Sequence, residues 1–201
     1  MPFVCSNASH AIDIRKDSGA CPTCYSCLLL SDDHGATWRV GKPAQWGSRE
    51  SQAAQVPGTA AASQLYVSER NMGSTPGHRM FTHSHDGGET LVDAGIDLQL
   101  PTPVTAHWTG IVAGLLALPG PAPRLLYTAP SNPSVRSNLT ARISHDNGAT
   151  WPGARAVWTG LAGYSDLALT TSGVAIIFEN GDHTFADRIS VSVLPPGWLP
   201  V

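Results

Sequence analysis

Three copies of one octet constrain this chain more than any other feature. Ser144-His-Asp-Asn-Gly-Ala-Thr-Trp151 is matched by Ser31-Asp-Asp-His-Gly-Ala-Thr-Trp38, and by Ser84-His-Asp-Gly-Gly-Glu-Thr-Leu91 with Leu in the Trp position. The common pattern is S-x-D-x-G-x-T-W, and its starts lie 53 and 60 residues apart. A period of that length marks a repeat architecture in which each unit is one supersecondary element. The residue types describe a hairpin turn. An Asp side chain accepts hydrogen bonds from nearby backbone N–H groups, and Gly supplies positive φ at no steric cost. Ser and Thr add hydroxyl-to-backbone bonds, and the terminal Trp packs the turn onto its sheet.

Between the octets, helical periodicity is almost absent. Short apolar runs recur at 27–30, 64–68, 79–82, 110–118, 124–128, 139–143, 166–169, 174–178 and 189–194, mostly bounded by Gly, Pro, Asn, Asp or Ser. Such punctuation is that of strands, and alternation in Ile189-Ser-Val-Ser-Val-Leu194 implies one buried face. With 20 Gly, 16 Pro and only 13% charged residues, the composition fits short strands and turns. The expectation is an all-β fold, a β-propeller with one octet turn per blade. At roughly 40–55 residues per blade, the chain holds material for about four. The stretch 52–63 reads as a loop or weak strand, Pro101–Pro103 and Pro119–Pro123 as turns, and Pro195–Val201 as a tail leaving the fold.

A formal charge of −3 argues against nucleic acid or an anionic membrane as the bulk electrostatic partner. No apolar run reaches the roughly 18 residues of a transmembrane segment, and no signal peptide is visible at Met1-Pro-Phe-Val-Cys. The compartment stays open. A lysosomal or secreted location would require a leader in a longer form. Cys21-Pro-Thr-Cys24-Tyr-Ser-Cys27 has the spacing of iron–sulfur or zinc ligands, yet no fourth ligand follows at a standard interval. It also runs directly into Leu28-Leu-Leu30, so a strand bearing buried thiols, or a disulfide to Cys5 in an exported chain, fits better. His34 and His145 occupy variable octet positions facing solvent, and His83 and His85 lack a zinc-type carboxylate spacing. No metal or other cofactor is expected.

The octets and the segments between them resemble the sialidases, most closely those of the animal lysosomal type. The resemblance runs from about Gly19 to Leu194 and is carried by Arg49-Glu-Ser-Gln52, Leu65-Tyr-Val-Ser-Glu-Arg-Asn71, Asn132-Pro-Ser-Val-Arg-Ser-Asn-Leu-Thr140, Gly163-Tyr-Ser-Asp-Leu167 and Phe178-Glu-Asn-Gly181. It implies an exo-acting glycoside hydrolase that removes terminal α-linked sialic acids with retention. Its partners would be sialylated glycoproteins, oligosaccharides or glycolipids, with a protein partner added if it is of lysosomal type. Position by position, Tyr164 resembles the nucleophile and Glu50 its partner base. Arg70 and Arg136 resemble two members of a carboxylate-binding arginine triad, and Glu179 the carboxylate that orients the remaining arginine. The chemistry suits that set. Arginine binds a carboxylate through a planar fork, and a neutral tyrosine escapes the repulsion that a carboxylate nucleophile would meet beside an anionic sugar.

The sequence departs from the family at its front. The family's first triad arginine sits in an Arg-Ile-Pro-like motif, and its acid/base catalyst is an aspartate. Arg15 is not followed by Ile-Pro, and Asp13, Asp17 and the octet aspartates stand in other contexts. The expectation is residues 1–18 as an N-terminal segment, 19–194 as the C-terminal part of a six-bladed propeller, and 195–201 as a tail. Little or no hydrolysis is expected from such a chain alone. The rival reading is a non-catalytic octet propeller fragment that binds glycans or a protein.

Overall fold

The computed structural model describes residues 3–6, 25–56, 64–72, 76–106, 109–120, 122 and 124–199. Among these residues, thirteen strands run in chain order. The first three, β1 (Phe3–Ser6), β2 (Ser26–Leu30) and β3 (Arg39–Val40), form one sheet. A second is the meander β4 (Ser48–Gln55), β5 (Leu65–Asn71), β6 (His78–Ser84) and β7 (Val92–Pro101). The remainder, β8 (Gly114–Ala117), β9 (Leu125–Pro130), β10 (Ser137–Ser144), β11 (Gly153–Thr170), β12 (Gly173–Gly181) and β13 (Arg188–Leu194), pairs in sequence order. Strand β11 divides this six-stranded sheet into two halves. Its first half pairs with β10 and its second half with β12, with a register irregularity between Ala162 and Ser165. The chain therefore builds four antiparallel units, as expected for about four propeller blades.

Apolar residues fill the spaces between successive units. Leu28 and Leu30 of the first unit meet Leu65 and Val67 of the second. Tyr66 and Leu100 of the second meet Ile111, Leu115, Leu125 and Tyr127 of the third. Leu126, Leu139 and Ile143 of the third then meet Ala162, Ile176 and Phe178 of the fourth. Each unit alone would leave these faces wet, so stacking supplies the core.

The three octets are hairpin turns between β2 and β3, β6 and β7, and β10 and β11. All three make the same bonds. The Gly35, Gly88 and Gly148 N–H groups donate to Ser31, Ser84 and Ser144 Oγ at 2.7, 2.8 and 2.8 Å. Thr37, Thr90 and Thr150 N–H groups donate to Asp33, Asp86 and Asp146 Oδ1 at 2.8, 2.9 and 2.8 Å, and their hydroxyls donate to Oδ2. These donations hold the Asp33 and Asp86 carboxyls down at about 2, and keep that of Asp146 low despite partial burial. In the second and third turns the octet glycine also tucks against the preceding unit. A Cβ on Gly88 would lie 2.8 Å from Leu30, and one on Gly148 2.3 Å from the Tyr66 ring.

The octet tryptophans differ. Trp151 is 2% exposed, lies between the Tyr66 and Tyr127 rings, and donates its indole N–H to Asp97 at 2.7 Å. Trp38 is 46% exposed and bonds its own turn at Gly35 O, so it caps the hairpin rather than packing the sheet as the sequence suggested.

Other expectations need correction. Of the stretch 52–63, read as a loop or weak strand, Gln52–Gln55 is the end of strand β4 paired with β5, and 57–63 lie outside the described residues. Of the run 110–118, only Gly114–Ala117 is a strand, because Ile111 and Ala113 turn inward as core contacts. Residues 195–199 do not leave the fold: Pro196–Trp198 is a 3-10 turn, and the Arg155 guanidinium lies 4.8 Å over the Trp198 ring. Cys27 is a buried strand residue whose register partner is Cys5, while Cys21, Cys24, Asp13, Arg15 and Asp17 lie outside the described residues.

Candidate active site

Three backbone irregularities bring distant side chains to one place. Glu50 sits at a bulge in β4, between Arg49 and Ser51, with φ +27°. A non-glycine residue there carries strain, and the bulge re-aims its side chain. Arg70 lies near the end of β5, opposite Arg49 in the register. Gly110, at φ +64°, lets the 109–110 backbone approach, since a Cβ there would stand 3.0 Å from Arg70 Cγ. Tyr164 sits at the irregularity that divides β11, next to Gly163. A Cβ on Gly163 would fall 2.1 Å from Glu179 Oε2 and 2.9 Å from Phe185, so only glycine fits.

Arg70 is the hub of the resulting cluster. Its Nε donates to Thr109 O at 2.9 Å, and its Nη1 donates both to Glu50 Oε2 and, at 3.4 Å, to Tyr164 Oη. Glu50 therefore pairs with Arg70 across the strands and not with its neighbour Arg49. Arg70 is buried while Glu50 stays part-exposed, leaving the carboxylate reachable from solvent.

Arg136 precedes β10 and is 7% exposed. Its guanidinium lies 5.6 Å from the Tyr164 ring centre and 4.6 Å from that of Phe185. Its Nε is buried without a hydrogen-bond partner. Burial pulls the Arg136 proton affinity down, opposed by Tyr164, Glu179 and Glu50 and reinforced by Arg70. Glu179, on β12, accepts the Tyr164 N–H at 2.9 Å through Oε2 and so fixes the tyrosine backbone. The structure thus brings Glu50, Arg70, Arg136, Tyr164 and Glu179 together, from β4, β5, the approach to β10, β11 and β12.

Two supports were not read from the sequence. Gln52 ties the Glu50 strand to the Tyr164 strand, donating to Asp166 Oδ1 at 3.0 Å and accepting the Leu115 N–H at 2.6 Å. Phe185 covers Arg136 from the 182–187 loop, which the Asp187 carboxylate organises by accepting three backbone N–H groups and the Thr184 hydroxyl. The signal for Gln52 was its strand period with Glu50. Phe185 left none, because its partner lies 49 positions away.

Histidines His34 and His145 are exposed, and among the described residues no group of three or more His, Cys, Asp or Glu side chains is placed to hold a metal ion. None of the described helices is long and apolar enough to cross a membrane.

Two arginines, a carboxylate and a tyrosine thus meet on an octet propeller. A family described as the BNR repeat-like domain matches residues 19–177. The chain therefore belongs to that family, and within it to the sialidases, because the relatives it matches carry that name. The sialidase of Micromonospora viridifaciens is 29% identical over 157 residues, covering 76% of this chain and 23% of that protein. Sialidase-2 of Cricetulus griseus is 31% identical over 155 residues, covering 73% of this chain and 39% of the relative. Among solved structures, Hadza microbial sialidase Hz136 superposes with a TM-score of 0.63 at 26% identity, covering 77% of this chain and 30% of that one. The chain spans less than half the length of these relatives.

Proposed function

We propose that this cluster recognises terminal α-linked sialic acids of glycoconjugates and carries the nucleophilic half of a retaining sialidase reaction. Arg70 and Arg136 hold the sugar carboxylate, because buried guanidinium groups bind a carboxylate through charge-assisted bonds. Tyr164 attacks the anomeric carbon, and Glu50 takes its phenolic proton. Arg70, already donating to the Tyr164 oxygen, stabilises that oxygen as it gains negative character. Glu179 holds the tyrosine backbone in place.

The observation that carries this reading is the Arg70 guanidinium, whose Nη1 is shared by Glu50 and Tyr164. Base, nucleophile and substrate-binding cation meet at one nitrogen. The described residues contribute two arginines to the cluster and no aspartate placed to protonate a leaving group. The chain by itself is therefore expected to bind substrate and to hydrolyse it weakly or not at all. The test is release of fluorophore from an aryl α-sialoside by the purified chain. Turnover near the uncatalysed rate is expected. Rapid turnover that Tyr164→Phe leaves intact would remove the tyrosine from the mechanism. Rapid turnover that Tyr164→Phe abolishes would keep it and reveal a further acid.

A further inference from the structure

Glu50 and Tyr164 stand on strands that share no ladder. Strand β4 pairs with β5 in the second unit, and the half of β11 that follows Tyr164 pairs with β12 in the fourth. Strand β8, the edge of the third unit, packs against both. Two of its backbone N–H groups are taken by side chains in place of a strand. Gly114 donates to Ser165 Oγ at 3.3 Å, and Leu115 donates to Gln52 Oε1 at 2.6 Å. Gln52 then reaches on through Nε2 to Asp166 Oδ1 at 3.0 Å. One side chain of β4 therefore grips both β8 and β11.

The points it grips decide what the link can do. The β4 ladder is irregular between Arg49 and Ser51, and the β11 ladder between Ala162 and Ser165. Gln52 follows Glu50 by two residues, and Asp166 follows Tyr164 by two, so each lies on the regular strand just beyond an irregular stretch. A bond between them fixes where both stretches begin, and with them the two side chains they aim. Inside the cluster, Glu50 and Tyr164 meet through Arg70 Nη1, which stands 3.4 Å from Tyr164 Oη, too long a bond to hold a distance.

We infer that Gln52 is a positioning residue for the reaction proposed above, with Asp166 as its anchor. Together they set how closely Glu50 approaches Tyr164 Oη, and so how readily the phenolic proton passes. The inference rests on Tyr164 being the nucleophile. Glutamine suits the place because one amide accepts from the Leu115 N–H and donates to a carboxylate at once. Glutamate there would set like charges together, and an apolar residue would leave the Leu115 N–H unpaired.

The test is covalent labelling of the purified chain by 2,3-difluorosialic acid, followed by intact mass and peptide mapping. Tyr164 Oη bonds to the anomeric carbon, its proton passes to Glu50, and the carbon–fluorine bond breaks with the electron pair leaving on fluoride. Fluoride departs without a strong acid catalyst, so the step needs only the groups in the cluster. Gln52→Ala should lower the saturating rate of labelling about tenfold, the worth of one hydrogen bond to a charged group, with the half-saturating concentration little changed. Asp166→Ala should match it, and the double variant should be no slower than either, since both remove one link. Asp166→Asn keeps the accepting oxygen and should label within about twofold of wild type. Gln52→Glu should be at least as slow as Gln52→Ala. Circular dichroism checks each fold, and Asp166, being exposed, carries the test should Gln52→Ala unfold. Wild-type chain labelled at Tyr164, with both alanine variants equally fast or slowed only through a raised half-saturating concentration, would overturn the positioning role alone. Wild-type chain left unlabelled, or labelled at another residue, would strike Tyr164 as nucleophile and the positioning role with it.

Discussion

The octet turns and the arginine–tyrosine cluster use similar polar residues to opposite ends. In the turns, Ser, Asp, Gly and Thr satisfy one another within eight residues, and the same bonds recur in all three copies. In the cluster, partners come from five separate strands or loops, and capacity is left over. Arg136 Nε has no partner, and Glu50 holds a strained backbone. Closed local networks make a scaffold, whereas incomplete long-range ones make a place for a ligand. Carboxyl groups repeat the contrast. Those of the octets are pushed down by donated hydrogen bonds, whereas Glu69, buried beside Gln45 and Thr82, is pushed up to about 7 by loss of water.

The largest effect that separates the two regions belongs to the scaffold. Trp151→Ala should cost about 3–5 kcal/mol in urea unfolding, the range for emptying a large buried aromatic site. Trp38→Ala, at the same octet position but half-exposed, should cost roughly 1 kcal/mol. Equal losses would mean that octet position, not burial between units, sets the contribution.

Next comes the pH dependence of Glu69. The folded chain keeps this proton up to about pH 7, while an unfolded one releases it near the ordinary value of 4.5. The folded state binds more protons between those limits, so stability is full below about 4.5 and falls as pH rises through 7. The loss is expected to approach ~3 kcal/mol, and Glu69→Gln should flatten the profile. A wild-type profile already flat from pH 5 to 8 would contradict that environment for Glu69. The octet aspartates act at the other end. Their depressed values stabilise the fold above the ordinary carboxylate range, and that contribution disappears as pH falls towards 2.

The smallest effect on folding belongs to the site. Arg136→Ala removes a buried cation whose proton affinity burial already lowers, so stability should move by less than about 1 kcal/mol. Affinity for sialic acid should fall roughly 10- to 100-fold, the worth of a charged hydrogen bond. A variant that unfolds instead would place Arg136 with the scaffold.

What was legible in the sequence follows the same division. The octets could be read as turns because every bond they make is local. Glu50, Arg70, Arg136, Tyr164 and Glu179 could be picked out only through their ordered resemblance to sialidases, since nothing in their own neighbourhoods distinguishes them. The bulge at Glu50, the pairing of Glu50 with Arg70 and not Arg49, and Phe185 over Arg136 had no local signature. Strand β7 escaped because Asp93 and Asp97 erase the alternation that marks a half-buried strand, and the small residues at the end of β4 left it legible only as a loop or weak strand. The continuity of β11, which pairs with β10 in its first half and with β12 in its second, was hidden by Gly160 and Gly163, which read as a break. Gly163 is instead where the backbone makes room for Glu179.

Titration of N-acetylneuraminic acid into the labelled chain, followed by amide and arginine Nε–Hε NMR shifts, tests the central claim most directly. Saturable shifts at Arg70 and Arg136, lost in Arg70→Ala while the octet turns keep their spectrum, are the expected result. Shifts confined to other surfaces, or binding untouched by Arg70→Ala, would contradict it.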